Sequence, residues 1–253
     1  MIIKRIFKSG LRKLNLEITR VGPPKSLNRD EVDQFPPLHP YFERPEYGPS
    51  NIETKLALTN SGDEIFEYPD IVNLNHAVVK LLGNANRICE LGCGTGKFAI
   101  NAVQDGPARF VVASEFDFDT YEWVKANRSH KRVRYVHGPV SDNDGAFDVV
   151  VAIEVIEHIS DYRRFISDCQ KLSNRALITT PNRARSLEHF HAGPPLYVKH
   201  VREWTAGEFY WVLKSFYRSV KLFGVVSDTQ PDCRPVSVDS RLSQLIADCC
   251  NAY

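Results

Sequence analysis

From residue 70 onward, apolar positions fall into two alternating textures. Short apolar runs appear at RICEL (87–91), RFVVASE (109–115), VRYVHG (133–138), FDVVVAI (147–153), RALITT (175–180) and SVKLFGVV (219–226). Runs of that length, rich in β-branched residues, predict buried strands. Helical stretches lie between them near 96–105, 117–127, 161–172 and 205–215, and DIVNLNHAVVKLLG (70–83) predicts a helix stopped by Gly83. The last helix opens on Thr205-Ala-Gly-Glu208, a capping box in which each end residue's side chain satisfies the other's backbone donor. Strands spaced by helices predict an α/β fold with a doubly wound, mostly parallel sheet. Such sheets bind ligands at the carboxyl ends of their strands, near the topological switch point.

The first seventy residues look different. Seven prolines between residues 22 and 50 rule out regular helix there and predict an extended strap or lid. Ahead of them, MIIKRIFKSGLRKLNLEITRV sets Ile2, Ile3, Ile6, Phe7, Leu11 and Leu14 among Lys4, Arg5, Lys8, Arg12 and Lys13. That is the pattern of a basic amphipathic helix, either lying on an anionic membrane surface through residues 1–20 or docked on the domain with its cations in water. The expected division is therefore an amphipathic helix and strap over 1–69, followed by the α/β domain over 70–253.

Charge is nearly balanced over the 253 residues, 32 basic against 31 acidic, so there is no global field for nucleic acid, although a local patch stays open. Six cysteines without paired or CxxC spacing, and no leader ahead of them, predict reduced thiols in a cytoplasmic setting, extending to the inner face of a membrane if the basic helix binds there. No apolar run approaches the roughly 18 residues that cross a bilayer. Nothing in the sequence signals an oligomeric state.

The chemistry concentrates in ELGCGTG. Gly92, Gly94 and Gly96 sit between a predicted strand and a predicted helix, the context of a nucleotide-type turn. Glu90 ends that strand, where a dinucleotide site ordinarily has an apolar residue. Glu115 ends the next strand, 19 residues beyond Gly96, where a carboxylate can accept from two ribose hydroxyls. A ligand with a ribose and a free ammonium, and no pyrophosphate, suits both acids; S-adenosylmethionine is one.

With ELGCGTGKFA, VVASE, FDVVVAIEVIEH, ALITTPN and HVREWTAGEF in this order, residues 85–225 resemble the class I S-adenosylmethionine-dependent methyltransferases. The resemblance implies a seven-stranded Rossmann-like sheet. It implies that Glu90 and the backbone of Leu91, Gly92, Cys93, Gly94 and Gly96 hold the methionine end, that Glu115 binds the ribose, that Phe116 flanks the adenine, and that Ile153 belongs to the cofactor-binding residues. The acid often found after the third strand falls near HGPVSD; Pro139 takes its expected place, which leaves Asp142 as the adenine partner.

For the acceptor side, EVIEHI spaces Glu154, Glu157 and His158 at i, i+3 and i+4, so a helical turn would present them on one face. Three readings stay open. His158 could be the general base that takes a proton from an acceptor hydroxyl, since imidazole titrates near neutral pH; this resembles the ubiquinone-biosynthesis O-methyltransferases, with Glu154 and His200 supporting it. Alternatively Glu154, Glu157, His158 and His200 could hold Mg2+ or Mn2+ and bind a vicinal diol. That resembles the small-RNA 3′-terminal 2′-O-methyltransferases, which HVREW and QFPPL echo, although the balanced charge weighs against RNA. Third, the glutamates could be a wet face and His158 a packed histidine.

The expected acceptor is a glycan, glycolipid or small-metabolite hydroxyl; LRKLNLEITR resembles the leader helices of bacterial polysaccharide-biosynthesis enzymes. A fold that holds the cofactor as a non-catalytic partner subunit is the alternative outside enzymes. The long segment PNRARSLEHFHAGPPLYVKHVREW, with His189, His191 and Tyr197, is expected to cover the pocket together with Tyr41, Phe42 and Tyr47 of the strap.

Overall fold

The computed structural model describes residues 16–21, 69–140, 145–185, 195, 200–227 and 242–251. Eight strands form one sheet: β1 (Leu16–Val21), β2 (Arg87–Leu91), β3 (Phe110–Glu115), β4 (Val133–His137), β5 (Val149–Ala152), β6 (Arg175–Pro181), β7 (Ser219–Ser227) and β8 (Leu242–Cys250). The helices among the described residues are α1 (Pro69–Leu81), α2 (Lys97–Gln104), α3 (Phe118–Asn127), α4 (Tyr162–Leu172) and α5 (Ala206–Lys214). Strand order is β1-β7-β8-β6-β5-β2-β3-β4. β2 to β6 are mutually parallel, while β8 runs antiparallel to both β6 and β7. The order reverses between β2 and β5, so the switch point lies at their carboxyl ends.

Why these residues make this sheet is visible in their alternation. Cys89, Leu91, Val112, Val150 and Ala152 face one core, with α4 and α5 over them. Ile88, Val111, Ala113, Val149 and Val151 face the other, beneath α1, α2 and α3. Both faces are covered, so the central strands are apolar throughout, as parallel strands must be. α4 buries Tyr162, Ile166 and Cys169 at helical spacing and starts on Asp161, whose side chain accepts from the Arg164 N–H at 3.0 Å. α5 carries the predicted capping box: Thr205 N–H donates to Glu208 Oε2 (2.7 Å) and Glu208 N–H to Thr205 Oγ1 (3.3 Å).

Two expectations change. Residues 16–21 are not the end of an amphipathic helix: they are a strand paired antiparallel with β7, Leu16 opposite Ser227 and Val21 opposite Leu222. The Leu-Glu-Ile-Thr-Arg-Val alternation has period two, which fits an edge strand better than a helix. The sheet thus begins before residue 70. Residues 1–15, the rest of that basic segment, and the proline-rich strap lie outside the described residues.

The second change is β8. Cys249 and Cys250 end an interior strand, and Arg175 of β6 locks it by donating to Asp248 (2.9 and 3.1 Å) and to the Leu81 and Leu82 carbonyls at the end of α1 (2.6 and 2.9 Å). The described cysteines, Cys89, Cys93, Cys169, Cys249 and Cys250, are free thiols. Among the described residues no helix is long and apolar enough to cross a membrane.

Candidate active site

The turn after β2 is built on three left-handed glycines, Gly92 (φ 69°), Gly94 (φ 53°) and Gly96 (φ 71°). A Cβ on Gly92 would sit 2.8 Å from Val155 Cγ2, and one on Gly96 would sit 2.5 Å from Val124 Cγ2 and 2.7 Å from the Tyr135 hydroxyl. Gly94 has nothing within 4 Å of a Cβ position, so open space lies above it. Backbone bonds staple the turn to β3: Cys93 N–H donates to the Ser114 carbonyl (2.8 Å) and Gly94 N–H to Glu115 Oε2 (2.9 Å). Glu115 Oε1 also accepts from the Phe116 and Asp117 N–H groups (2.9 and 3.1 Å). Three of the carboxylate's acceptor positions are used and one lone-pair direction remains on Oε2.

Glu90 is the unresolved charge of this region. It is 3% exposed and its Oε2 has no hydrogen-bond partner. Burial, and then the Glu115 charge, hold its carboxyl well above the usual carboxylate range. An orphaned buried oxygen beside an open glycine turn fits a ligand that brings an ammonium group. Leu91 and Cys93 are buried, Ile153 is half-buried, and Phe116 is 64% exposed beside Glu115. Asp142 lies outside the described residues, as do His189, His191, Tyr197, Tyr41, Phe42 and Tyr47.

Across the switch point, EVIEH does not form the single face expected of it. Glu154 has φ 53°, a left-handed conformation unusual for a residue other than glycine, and only Ile156–His158 make a short 3-10 turn. The sharp exit from β5 turns Glu154 back toward β6. Its N–H donates to the Thr179 hydroxyl (3.0 Å), which donates in return to Glu154 Oε1 (2.8 Å). With its amide nitrogen turned toward them, Gln244 of β8 reaches Glu154 Oε2 (3.0 Å) and the Thr180 carbonyl (3.3 Å). Glu154 therefore stands apart from the ligand set expected for it.

Glu157, His158 and His200 do come together: one donor atom from each lies within 4.8 Å of the others. Glu157 is fully buried, and neither of its oxygens has a hydrogen-bond partner; His158 Nε2 is 4.0 Å from Oε1. Burial first, then the Glu154 and Glu203 charges, push its carboxyl well above the ordinary range. The two imidazoles meet edge to face, with ring centroids 4.9 Å apart. His200 is delivered from the loop before α5 because the Glu157 carbonyl accepts from the Val201 and Arg202 N–H groups (2.7 and 3.2 Å). Glu203, a residue the sequence reading left without a role, lies 2.5 Å from His200 Nδ1 through Oε1. Its i+3 spacing from His200 in HVREW was the available signal. Two acids, two imidazoles and a glycine turn at one end of a parallel sheet can abstract a proton or hold a cation beside a bound nucleoside.

A sheet of this order, with an orphan acid and a glycine turn at the switch point, defines the class of S-adenosylmethionine-dependent methyltransferases. Residues 60–216 match the family model described as methyltransferase domain, and the chain belongs to that family. A Mycobacterium tuberculosis protein named probable S-adenosylmethionine-dependent methyltransferase is 31% identical over 192 residues, 69% of this chain and 66% of that protein. A ubiquinone biosynthesis O-methyltransferase of Rickettsia bellii is 29% identical over 125 residues, 45% of this chain and 52% of that protein. The chain thus matches about half to two thirds of the length of these relatives. Among solved structures, a small RNA methyltransferase superposes with TM-score 0.57 at 16% identity, covering 72% of this chain and 25% of that one. The plantazolicin methyltransferase, solved with S-adenosylhomocysteine, gives TM-score 0.56 at 13% identity, covering 84% and 93%. These structures share the fold.

Proposed function

We propose that the protein is an O-methyltransferase in which His158 removes the proton from an acceptor hydroxyl, with Glu157 behind it. The observation that carries this reading is the fully buried, unpartnered Glu157 carboxylate facing an imidazole that is itself 39% exposed. A buried carboxyl behind an accessible histidine stabilises, in its ionised form, the imidazolium formed when that histidine takes a proton. The Rickettsia relative, named as an O-methyltransferase, supports oxygen as the acceptor atom.

S-adenosylmethionine supplies a methyl group activated by its sulfonium, so the protein has to align and deprotonate the acceptor. Glu90 would hold the ammonium of its methionine end, the backbone from Leu91 to Gly96 would lie along it, and Glu115 would take a ribose hydroxyl on its remaining lone pair. The acceptor class is a glycan, glycolipid or small-metabolite hydroxyl. The basic residues ahead of β1 support acceptors at a membrane surface, and the nearly balanced total charge, +1, counts against nucleic acid.

A second reading rests on the same cluster. Glu157, His158 and His200 would hold one divalent cation, Mn2+ before Mg2+ because two of the three ligands are nitrogen. The cation would lower the pKa of a bound hydroxyl. Glu203, hydrogen-bonded to His200, would fix that imidazole's orientation, as carboxylates behind ligating histidines do.

A thermal-melt titration with MnCl2 in saturating S-adenosylhomocysteine separates the two. A ligand of the folded state raises the melting temperature with its concentration. No manganese-dependent rise, alongside a clear rise from S-adenosylhomocysteine, supports the general base. A saturable rise lost in Glu157→Ala and His200→Ala overturns it in favour of the metal and turns the acceptor search to vicinal diols, RNA ends included.

A further inference from the structure

Next to this cluster the structure holds a second buried charge, of the opposite sign. Arg202 is only 9% exposed, its Nε is sealed from water without a partner, and its guanidinium makes no hydrogen bond to any described residue. It stacks on the Tyr162 ring, 5.1 Å from the centroid, and Arg163 stacks on the same ring at 5.4 Å. Burial, with the Arg163 charge adding to it, lowers the pKa of Arg202. The charge of Glu208, which accepts from the Thr205 N–H through Oε2, opposes that shift, and Asp161 accepts from the Arg164 N–H.

Stacking satisfies the faces of a guanidinium and leaves its in-plane N–H donors unspent. A nine-tenths buried cation whose Nε is sealed from water without a partner, within the influence of a second guanidinium charge, is an arrangement that an oxyanion completes. Its position is functional. Tyr162 opens α4, the helix after β5, so the ring lies at the ligand-binding end of the sheet. The Arg202 N–H is bonded to the carbonyl of Glu157 (3.2 Å), two residues along the chain from His200.

We propose that Arg202 and Arg163 form an oxyanion subsite at the rim of the acceptor pocket, and that the acceptor carries a phosphate or diphosphate group. The proposal rests on the assignment of the Glu157–His158–His200 cluster to the acceptor side. Two guanidiniums match the two charges of a phosphate, and the planar fork of Arg202 suits two phosphate oxygens at once. The hydroxyl to be methylated then lies on the part of the acceptor that reaches His158, and the phosphate sets its register.

The test is a melting-temperature titration of the full chain with inorganic phosphate, pyrophosphate and acetate at matched ionic strength, with and without S-adenosylhomocysteine. Matching matters because salt alone screens surface charge. The expected result is a saturable rise with phosphate or pyrophosphate, absent with acetate, and weakened about tenfold or more in concentration dependence by Arg202→Gln. Arg163→Gln, at a partly exposed position, weakens it as well. The S-adenosylhomocysteine rise persists in both variants. No oxyanion-specific rise in the wild type, an equal rise with acetate, or a rise undiminished in Arg163→Gln and Arg202→Gln would each overturn the proposal. A missing S-adenosylhomocysteine rise would instead count against the cofactor reading, on its own arm of the experiment.

Discussion

His200 and Glu203 are joined through Nδ1 and Oε1 at 2.5 Å, within a pair that is nearly buried. The bond holds the orientation of the His200 ring, which packs edge-on against His158. Glu203 therefore acts through His200. Glu203→Ala is expected to lower turnover about tenfold, within the range found for partners of functional histidines, with S-adenosylhomocysteine affinity unchanged. Long-range nitrogen–proton NMR checks the cause: His200 loses its single tautomer in Glu203→Ala and regains a hydrogen-bonded one in Glu203→Asp.

Glu157 links stability to pH. A carboxyl whose pKa is raised in the fold is protonated there while the unfolded chain has already ionised, near pH ~4.3. Its neutral form is favoured below that value, and stability falls as pH rises from the ordinary carboxylate range through its raised folded pKa. Glu90 carries the same sign. Glu157→Gln is expected to be more stable than wild type at pH 7 by about 1–3 kcal/mol, because it has no ionisation for folding to suppress, and to show a shallower decline of stability with pH. Urea unfolding between pH 5 and 8 measures both; an identical pH slope in wild type and variant would contradict the assignment.

The glycines of the turn should separate stability from binding. Gly96→Ala meets Val124 at 2.5 Å and has to adopt φ 71°, so it should cost about 3 kcal/mol. Gly94→Ala meets nothing and carries only the backbone penalty, about 1 kcal/mol. Its new methyl group projects into the open space where the proposed function puts the cofactor. Calorimetric titration of Gly94→Ala with S-adenosylhomocysteine is expected to show about tenfold weaker binding from a protein that melts near the wild-type temperature.

What the sequence made legible follows from which signals are local. Central strands such as FVVASE and VVVA are apolar on both faces, and α5 announces its start through Thr205 and Glu208, so both were readable from short windows. β8 was not: LSQLIADCC mixes Gln244 and Asp248 into an interior strand, and these polar residues are satisfied only by distant partners, Asp248 by Arg175 and Gln244 by Glu154. The short period-two alternation of β1 was masked by the cations before it.

At the site, the meeting of Glu157, His158 and His200 was visible from residue type and spacing. The direction of Glu154 was not, because assuming a helical face took no account of the left-handed turn that a sharp strand exit imposes. Glu203 and Arg202 went unassigned because their surroundings depend on the loop before α5 being drawn to the Glu157 carbonyl, a contact across more than forty residues.

The central claim is that His158, backed by Glu157, deprotonates the acceptor. The most direct test is transfer of labelled methyl from S-adenosylmethionine into glycan, lipid and small-metabolite fractions by wild type and His158→Ala, after both are shown to bind S-adenosylhomocysteine equally. The account predicts labelling of a base-stable methyl ether by the wild type and a fall of about a hundredfold or more in the variant. Equal labelling rates by the two proteins would contradict it.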